Sequence, residues 1–386
     1  MPNFYPAQTH PLLTRFVQSL ASPVAYGLYR LQVKVSEEDV ALLRSLSDQR
    51  YILMPNHSNF QDGVVLFLLS ARVGQLFNYL VAYDNFRGLL GAFLPRIGAY
   101  SIKRGVGDRE SILHTLDLLK QPACHMVIFP EGGCSFQNDT VMPFRTGAVQ
   151  MPLQALNTLA KQGDTLPNFY LIPVSLKYRY TSTMQSTIAE SLHQLESTLG
   201  IIPPEQDFYP RLRAIGEQVM QNLEREYQIT TPPHLDWNQR IEAIKTHVLN
   251  YCEQELNIIG SAHLPMREQV YKIQSLLETE TQETTAHQKI YRATIRLLNF
   301  DAIYDGYVAE NPTPERFLDT IIRLEREVFH LDQPPPKGHR EVQVKLGNPI
   351  NLKDYWSAYQ EERPRVIEQL TRRVQQVVQD NLSRAC

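Results

Sequence analysis

The chain has 386 residues, 43% of them hydrophobic, with 38 Lys and Arg against 41 Asp and Glu; that is enough for one large domain or two or three ordinary ones with a genuine core. Charge this evenly balanced, with no basic stripe, argues against nucleic acid as a partner, and four cysteines (Cys124, Cys134, Cys252 and Cys386) without metal-type pairing predict free thiols in a reducing cytoplasm. Nothing at the N-terminus has the order of a signal peptide, and the charge-free run 16–29 is shorter than the roughly 20 residues a spanning helix needs, so the chain is expected to be soluble or to lie on a membrane surface.

Residues 11–31 place Leu12, Leu13, Phe16, Val17 and Leu20 at helical spacing as far as an interruption at Pro23. The segment reads either as a helix covering the core or as a monotopic helix in a lipid interface, and the scarcity of Lys and Arg on its polar face favours the first. Residues 36–47 predict a short helix capped by Ser36, with acidic residues in its first turn. The apolar run YILMP at 51–55 has the length of a buried strand and ends in turn chemistry at Pro55-Asn56. His57 follows, and Asp62 five positions later. A mostly buried helix to about Ala71 comes next, then strands at 78–83, 100–103, 125–129 and 169–178, with helices at 108–119 and 146–161 among them. The glycine-rich apolar stretch 86–97 has only Arg87 and Arg96 as charges, and such a patch is a liability when exposed unless it meets lipid or acyl chains.

Strands alternating with helices predict an α/β fold with a mixed, largely parallel sheet flanked by helices. From 181 to 339 the periods are helical only, punctuated by Pro203-Pro204, Pro232-Pro233 and the prolines at 334–336. Alternation returns at 341–346, and a last helix spans 363–382. The economical arrangement is an α/β domain (1–180 and 340–386) interrupted by an all-helical insertion (181–339), with the return strand rejoining the sheet.

A histidine at a strand-to-helix turn sits where open α/β sheets bind their ligands. If Asp62 holds one imidazole nitrogen, the other is free to take a proton. Five positions are about 500° of helical rotation, so the two residues meet only if His57 lies in the turn and Asp62 in the first helical turn. Asn59 as N-cap would put Asp62 third in the helix, where it also reads as a cap and dipole partner; His57 on spacing alone reads as a satisfied turn histidine ahead of a base. Arg104, at the end of the block begun by Gly98, is either a bidentate phosphate ligand or a strand-end surface arginine. Phe129-Pro130-Glu131-Gly132-Gly133 puts a carboxylate at a second strand end beside glycines that admit a ligand, or is simply a tight turn. Arg145 is a further cation or a helix-start arginine. His125 beside Cys124 does not make a metal site, and nothing marks Cys134 as a low-pKa nucleophile.

Taken in order, PNHSNFQD with His57 and Asp62, Gly98 to Arg104, FPEGG at 129–133 and Ile172-Pro173-Val174-Ser175 resemble the glycerolipid acyltransferase superfamily, the lysophosphatidate and glycerol-3-phosphate acyltransferases. PFRTGA at 143–148 and KLGNPI at 345–350 extend the likeness, which covers roughly 10–180 and 340–386. The resemblance implies an O-acyltransferase in which His57 deprotonates an acceptor hydroxyl, Asp62 orients and charge-stabilises the ring, and the oxygen attacks an acyl thioester without a covalent acyl-enzyme. It implies Arg104 on the acceptor's phosphate, Glu131 and Gly132 shaping the acceptor pocket, Arg145 assisting, and no metal or cofactor. Acyl-CoA or acyl carrier protein would be the donor, and a glycerol-phosphate or lysophospholipid the acceptor. The stretch holding Phe86, Leu89, Leu90 and Phe93 is the expected acyl-chain lining. Peripheral placement on the cytoplasmic face of a membrane follows from the substrates. Two features depart from the family pattern: Gly133-Cys134-Ser135 stands where Thr-Arg-Ser is common, and the insertion has no counterpart in compact members. A catalytically silent lipid- or protein-binding member of the same fold is the competing function. A hydrolase would need a nucleophile elbow, which the sequence lacks.

Overall fold

The computed structural model describes residues 2–163, 165–203, 206–232, 234–258, 260, 264–279 and 284–384. Pro204, Pro233 and Cys386, read above as two breaks and a thiol, lie outside them. The chain forms two compact units: Met1–Lys103, Asp108–Thr181 and His339–Cys386 in the first, Arg104–Gly107 and Ser182–Gly338 in the second.

Among the described residues of the first unit, eight strands make one sheet: β1 Leu31–Val35, β2 Arg50–Pro55, β3 Asn78–Ala82, β4 Ala99–Ile102, β5 His125–Val127, β6 Phe169–Tyr180, β7 Arg340–Leu346 and β8 Ile350–Asn351. Their order is β1-β7-β6-β2-β5-β3-β4, with β8 on β6. From β6 to β4 every neighbour is parallel; β7 lies antiparallel to β6 and parallel to β1. The sheet is thus mixed and mostly parallel, and β7, Arg340–Leu346, is one of its strands. The sequence reading lacks β1 and β8: β1 is an alternating run, LQVKV, that starts three residues after α1 ends and is taken up by the reading of 11–31 as one segment, and β8 has only two residues.

The helices of this unit are α1 Pro11–Leu28, α2 Glu37–Ser45, α3 Asp62–Val73, α4 Gly88–Phe93, α5 Arg109–Lys120 and α6 Gly147–Lys161, with Trp356–Glu361 and Arg363–Arg384 closing the chain. Tyr51 and Leu53 of β2 enter one core with Val65, Leu66 and Leu69 of α3. Ile52 and Met54 enter the other with Leu119 of α5, Leu153 and Leu156 of α6 and Val374 of the last helix. A strand covered on both faces has no polar side, which is why β2 is an unbroken apolar run.

Two details differ from expectation. Pro23 does not interrupt α1; the Ser19 carbonyl that loses its helical donor lies on an exposed residue, open to solvent. The helix also turns polar residues, Thr14 and Gln18, inward along with Ala25. Gln18 Nε2 donates to Ser70 Oγ and to the Gln75 carbonyl, both at 2.9 Å, and Thr14 Oγ1 donates to the Arg96 carbonyl at 3.2 Å. Leu12, 79% exposed, faces outward with Phe16, Leu20 and Val24.

The second unit contains the helices Gln185–Leu199, Phe208–Glu226, Trp237–Glu255, Met266–Thr279, Thr285–Phe300, Tyr307–Glu310 and Pro314–Val328, and no strand among its described residues. Leu192, Ile215, Val248, Leu297 and Ile321 are fully or almost fully buried in it. Arg211 meets Glu196 at 2.8 Å, and Arg240 meets Glu217 at 2.8 Å and Glu224 at 3.0 Å. No described helix of either unit is long and apolar enough to cross a membrane.

Candidate active site

The site is built where β2 and β5, parallel neighbours with Leu53 opposite Val127, end side by side. Beyond Pro55 the main chain of β2 leaves the ladder, and the side chain of Asn56 takes over from it. Asn56 Oδ1 accepts from the Leu176 N–H at 2.8 Å, and its Nδ2 donates to the Leu176 carbonyl at 3.1 Å. The next residue, His57, is held by the loop after β5. Its N–H donates to Glu131 Oε1 at 2.6 Å and its carbonyl accepts from Ser135 N–H at 2.7 Å. With both main-chain groups fixed, the ring is placed by the backbone before any side chain touches it.

The ring is then fixed by Asp62. His57 Nδ1 lies 2.8 Å from Asp62 Oδ2, which also accepts from the Asn59 N–H at 2.8 Å. Asp62 is the first residue of α3, two positions earlier in the helix than an Asn59 cap would give; Gln61 is the N-cap and has no side-chain cap bond. The carboxylate, 0% exposed, therefore reaches back across the turn instead of capping its own helix. An ionised carboxylate only accepts, so Nδ1 carries the proton and Nε2 presents a lone pair. Nε2 has no hydrogen-bond partner among the described residues, and the side chain is 21% exposed. The Phe129 ring packs against the imidazole with centroids 4.4 Å apart. An imidazole with one nitrogen tied to a buried carboxylate and the other open can take a proton from a hydroxyl placed against it.

Glu131 is buried, and besides the His57 N–H it accepts from Met142 N–H at 3.2 Å through Oε2. It shapes the turn. Gly132 has φ +71°, and a Cβ there would stand 2.4 Å from Arg145 Nε. The glycine is needed twice, for the left-handed backbone and to let the Arg145 side chain lie on it. Arg145 N–H donates to the Pro130 carbonyl at 2.8 Å, which keeps it against the turn. His57, Asp62, Glu131, Gly132 and Arg145 all belong to the first unit.

Arg104 belongs to the second unit. Its Nη1 donates to the Tyr271 hydroxyl at 3.1 Å, with the guanidinium 4.3 Å from the centre of that ring. The four residues expected to line an acyl chain separate. Phe86 is buried and stacks on Tyr5 at 5.1 Å, as a core residue does. Leu89 and Leu90 of α4 are 92% and 58% exposed, and Phe93 is half-buried. Burial pushes the Cys124 and Cys252 thiols up to about 12, so neither is a nucleophile near neutral pH. Among the described residues no three His, Cys, Asp or Glu side chains are grouped as metal ligands would be.

The structure adds residues that reading the sequence misses. Tyr178 on β6 donates its hydroxyl to Asp62 Oδ1. Arg340 on β7 donates to the Gln61 side chain and lies over the Tyr178 ring. One signal for Tyr178 is present in the sequence: the apolar run 169–178 is five residues longer than 51–55, and the register Pro55 opposite Val174 puts the excess beyond the end of β2.

Residues 32–177 match the family model described as Acyltransferase. The chain has no significant match among curated proteins or solved structures. The turn bearing His57 and Asp62, and the strand ends that hold it, thus lie in an acyltransferase domain of the glycerolipid acyltransferase family at residues 32–177.

Proposed function

We propose that the protein moves a fatty acyl group from an acyl thioester, on coenzyme A or an acyl carrier protein, to a hydroxyl of a glycerol-phosphate or lysophospholipid acceptor. The observation that carries this reading is the His57 ring held at Nδ1 by Asp62 with Nε2 open. Nε2 takes the hydroxyl proton as the oxygen attacks the thioester carbonyl. Asp62 stabilises the imidazolium that forms. A C–O bond is made, the C–S bond breaks, and the imidazolium returns its proton to the departing thiolate. No covalent acyl-enzyme and no cofactor enter the scheme. Holding donor and acceptor together supplies much of the rate, and the positioned base contributes roughly 10²- to 10⁴-fold more.

Arg145 is proposed to hold the acceptor's phosphate, since it lies on the same turn as Gly132, and Glu131 and Gly132 to shape the pocket. Arg104 keeps a proposed phosphate role on the strength of the sequence block it closes. The outward apolar face of α1 and the exposed Leu89 and Leu90 are proposed to lie in the cytoplasmic face of a membrane, where the lipid substrates are. Left in water, each of these side chains forgoes about 1.5–3 kcal/mol of burial.

The test offers labelled acyl-CoA and acyl carrier protein to the purified protein with a panel of glycerol-phosphate and lysolipid acceptors, each beside its unphosphorylated counterpart. Ester formation on a phosphorylated acceptor is expected. Donor and acceptor recovered unchanged across the whole panel would leave the silent binding member of the fold as the reading.

A further inference from the structure

Asp62 has one oxygen that the imidazole uses and one that it does not. Oδ1, the second, accepts from the Tyr178 hydroxyl. Tyr178 stands on β6 beyond the last rung shared with β2, Pro55 opposite Val174. Asn138 supplies the missing ladder: its Oδ1 accepts from the Tyr178 N–H and its Nδ2 donates to the Tyr178 carbonyl, each at 2.7 Å. The phenol is therefore placed by its own main chain.

Arg340 lies behind it. On β7 it is paired with Tyr180, so it shares a face of the sheet with Tyr178, one alternate residue along. Its guanidinium carbon is 5.0 Å from the centre of the Tyr178 ring. The side chain is nine-tenths buried, donates to the Gln61 side chain next to Asp62, and leaves Nε without a partner. Packing alone gives no reason for a buried guanidinium here, since an aliphatic chain would fill the space without desolvating a charge. Both Tyr178 and Arg340 lie outside the stretch 32–177 that matches the family.

We propose that Tyr178, polarised by Arg340, is a positioning residue for the transfer reaction: its hydroxyl fixes the Asp62 carboxylate so that Oδ2 alone faces the imidazole. The proposal rests on the reading of His57 as the base. Burial, and then the Asp62 carboxylate, raise the Tyr178 phenol well above its ordinary range, against the opposing pull of Arg340. It keeps its proton, and remains a donor, at every pH at which the reaction is measured. Among the described residues, other charged and titratable groups near the pair include Glu131 on the His57 N–H, Arg145 beside Gly132, and Cys134, whose charge would bear on Tyr178.

Tyr178→Phe removes the hydroxyl and keeps the ring. The expected result is a fall in kcat of about 10- to 100-fold, the size of a lost charge-assisted hydrogen bond, with KM for both substrates little changed. The sign on the pH profile follows from the charge. A carboxylate no longer shared with a phenol favours the imidazolium more strongly, so the acid limb of kcat/KM moves up by about one pH unit. Arg340→Met moves the limb in the same direction by less, and Arg340→Lys restores part of it. A limb that stays at its wild-type position in both Tyr178→Phe and Arg340→Met overturns the proposal, whatever happens to kcat. The proton resonance of His57 Nδ1–H, recorded without substrate, reads the same carboxylate. It shifts in Tyr178→Phe if Tyr178 positions Asp62, and an unchanged resonance sinks that idea even where acyl transfer is established. A resonance that shifts in a protein found to transfer no acyl group keeps the positioning and removes the function.

Discussion

Two buried carboxylates, one in each unit, are held in opposite ways. In the helical insertion Glu196, 1% exposed, takes two guanidinium donors of Arg211 at 2.8 Å, and Arg240 is clasped by Glu217 and Glu224. These pairs hold Arg211 and Arg240 above their ordinary pKa, in both cases first through the hydrogen bonds to their glutamates. Each group uses up the other, and what results is rigidity. Around Asp62 the donors are a phenol, the Asn59 amide and the imidazole, none of them a permanent cation. That carboxylate keeps its charge for the one neighbour whose protonation changes. Closed pairs build structure, and a carboxylate held by neutral donors beside an open imidazole is arranged for proton transfer.

The comparison can be broken at either end. The largest effect is expected for Asp62→Asn, which keeps the shape but lets the imidazole adopt the wrong tautomer. Measured in the transfer assay, kcat should fall by roughly 10³- to 10⁴-fold with the fold intact. Loss of less than about tenfold would mean that the carboxylate only closes the turn. A smaller effect of a different kind is expected for Arg211→Met. Stranding Glu196 inside the helical unit should lower the free energy of unfolding by about 3 kcal/mol, read from denaturant melts, while kcat/KM stays at its wild-type value at temperatures where the protein is folded. Activity falling in step with a charge that only closes a pair would erase the distinction.

Much of the fold was open to reading because its signals are local. The strands around the site announce themselves as apolar runs, and all-helical periods separate the insertion from the α/β region. His57 and Asp62 could be paired on paper because strand, turn and helix start fix their approach within twelve residues. What stayed hidden depends on distance in the chain or on which side of a helix faces inward. Tyr178 reaches Asp62, and Arg340 reaches Gln61 beside it, only through the register of β6 and β7, across 116 and 279 positions respectively. Helical periodicity locates α1 but misleads about its orientation, since Thr14 and Gln18 find hydrogen-bond partners inside while Leu12, Leu20 and Leu28 are left exposed. Phe86 and Leu89 sit three residues apart in one apolar stretch, and a 3₁₀ turn followed by a short helix sends one inward and the other out.

The most direct test of the central claim is acceptor-dependent release of thiol from acyl-CoA by the wild-type protein and by His57→Ala side by side. With the lone pair of Nε2 as the base, wild type releases one thiol for each ester formed, and the variant, folded to the same melting temperature, loses at least as much kcat as Asp62→Asn, roughly 10³- to 10⁴-fold or more. Undiminished thiol release by His57→Ala would contradict the account.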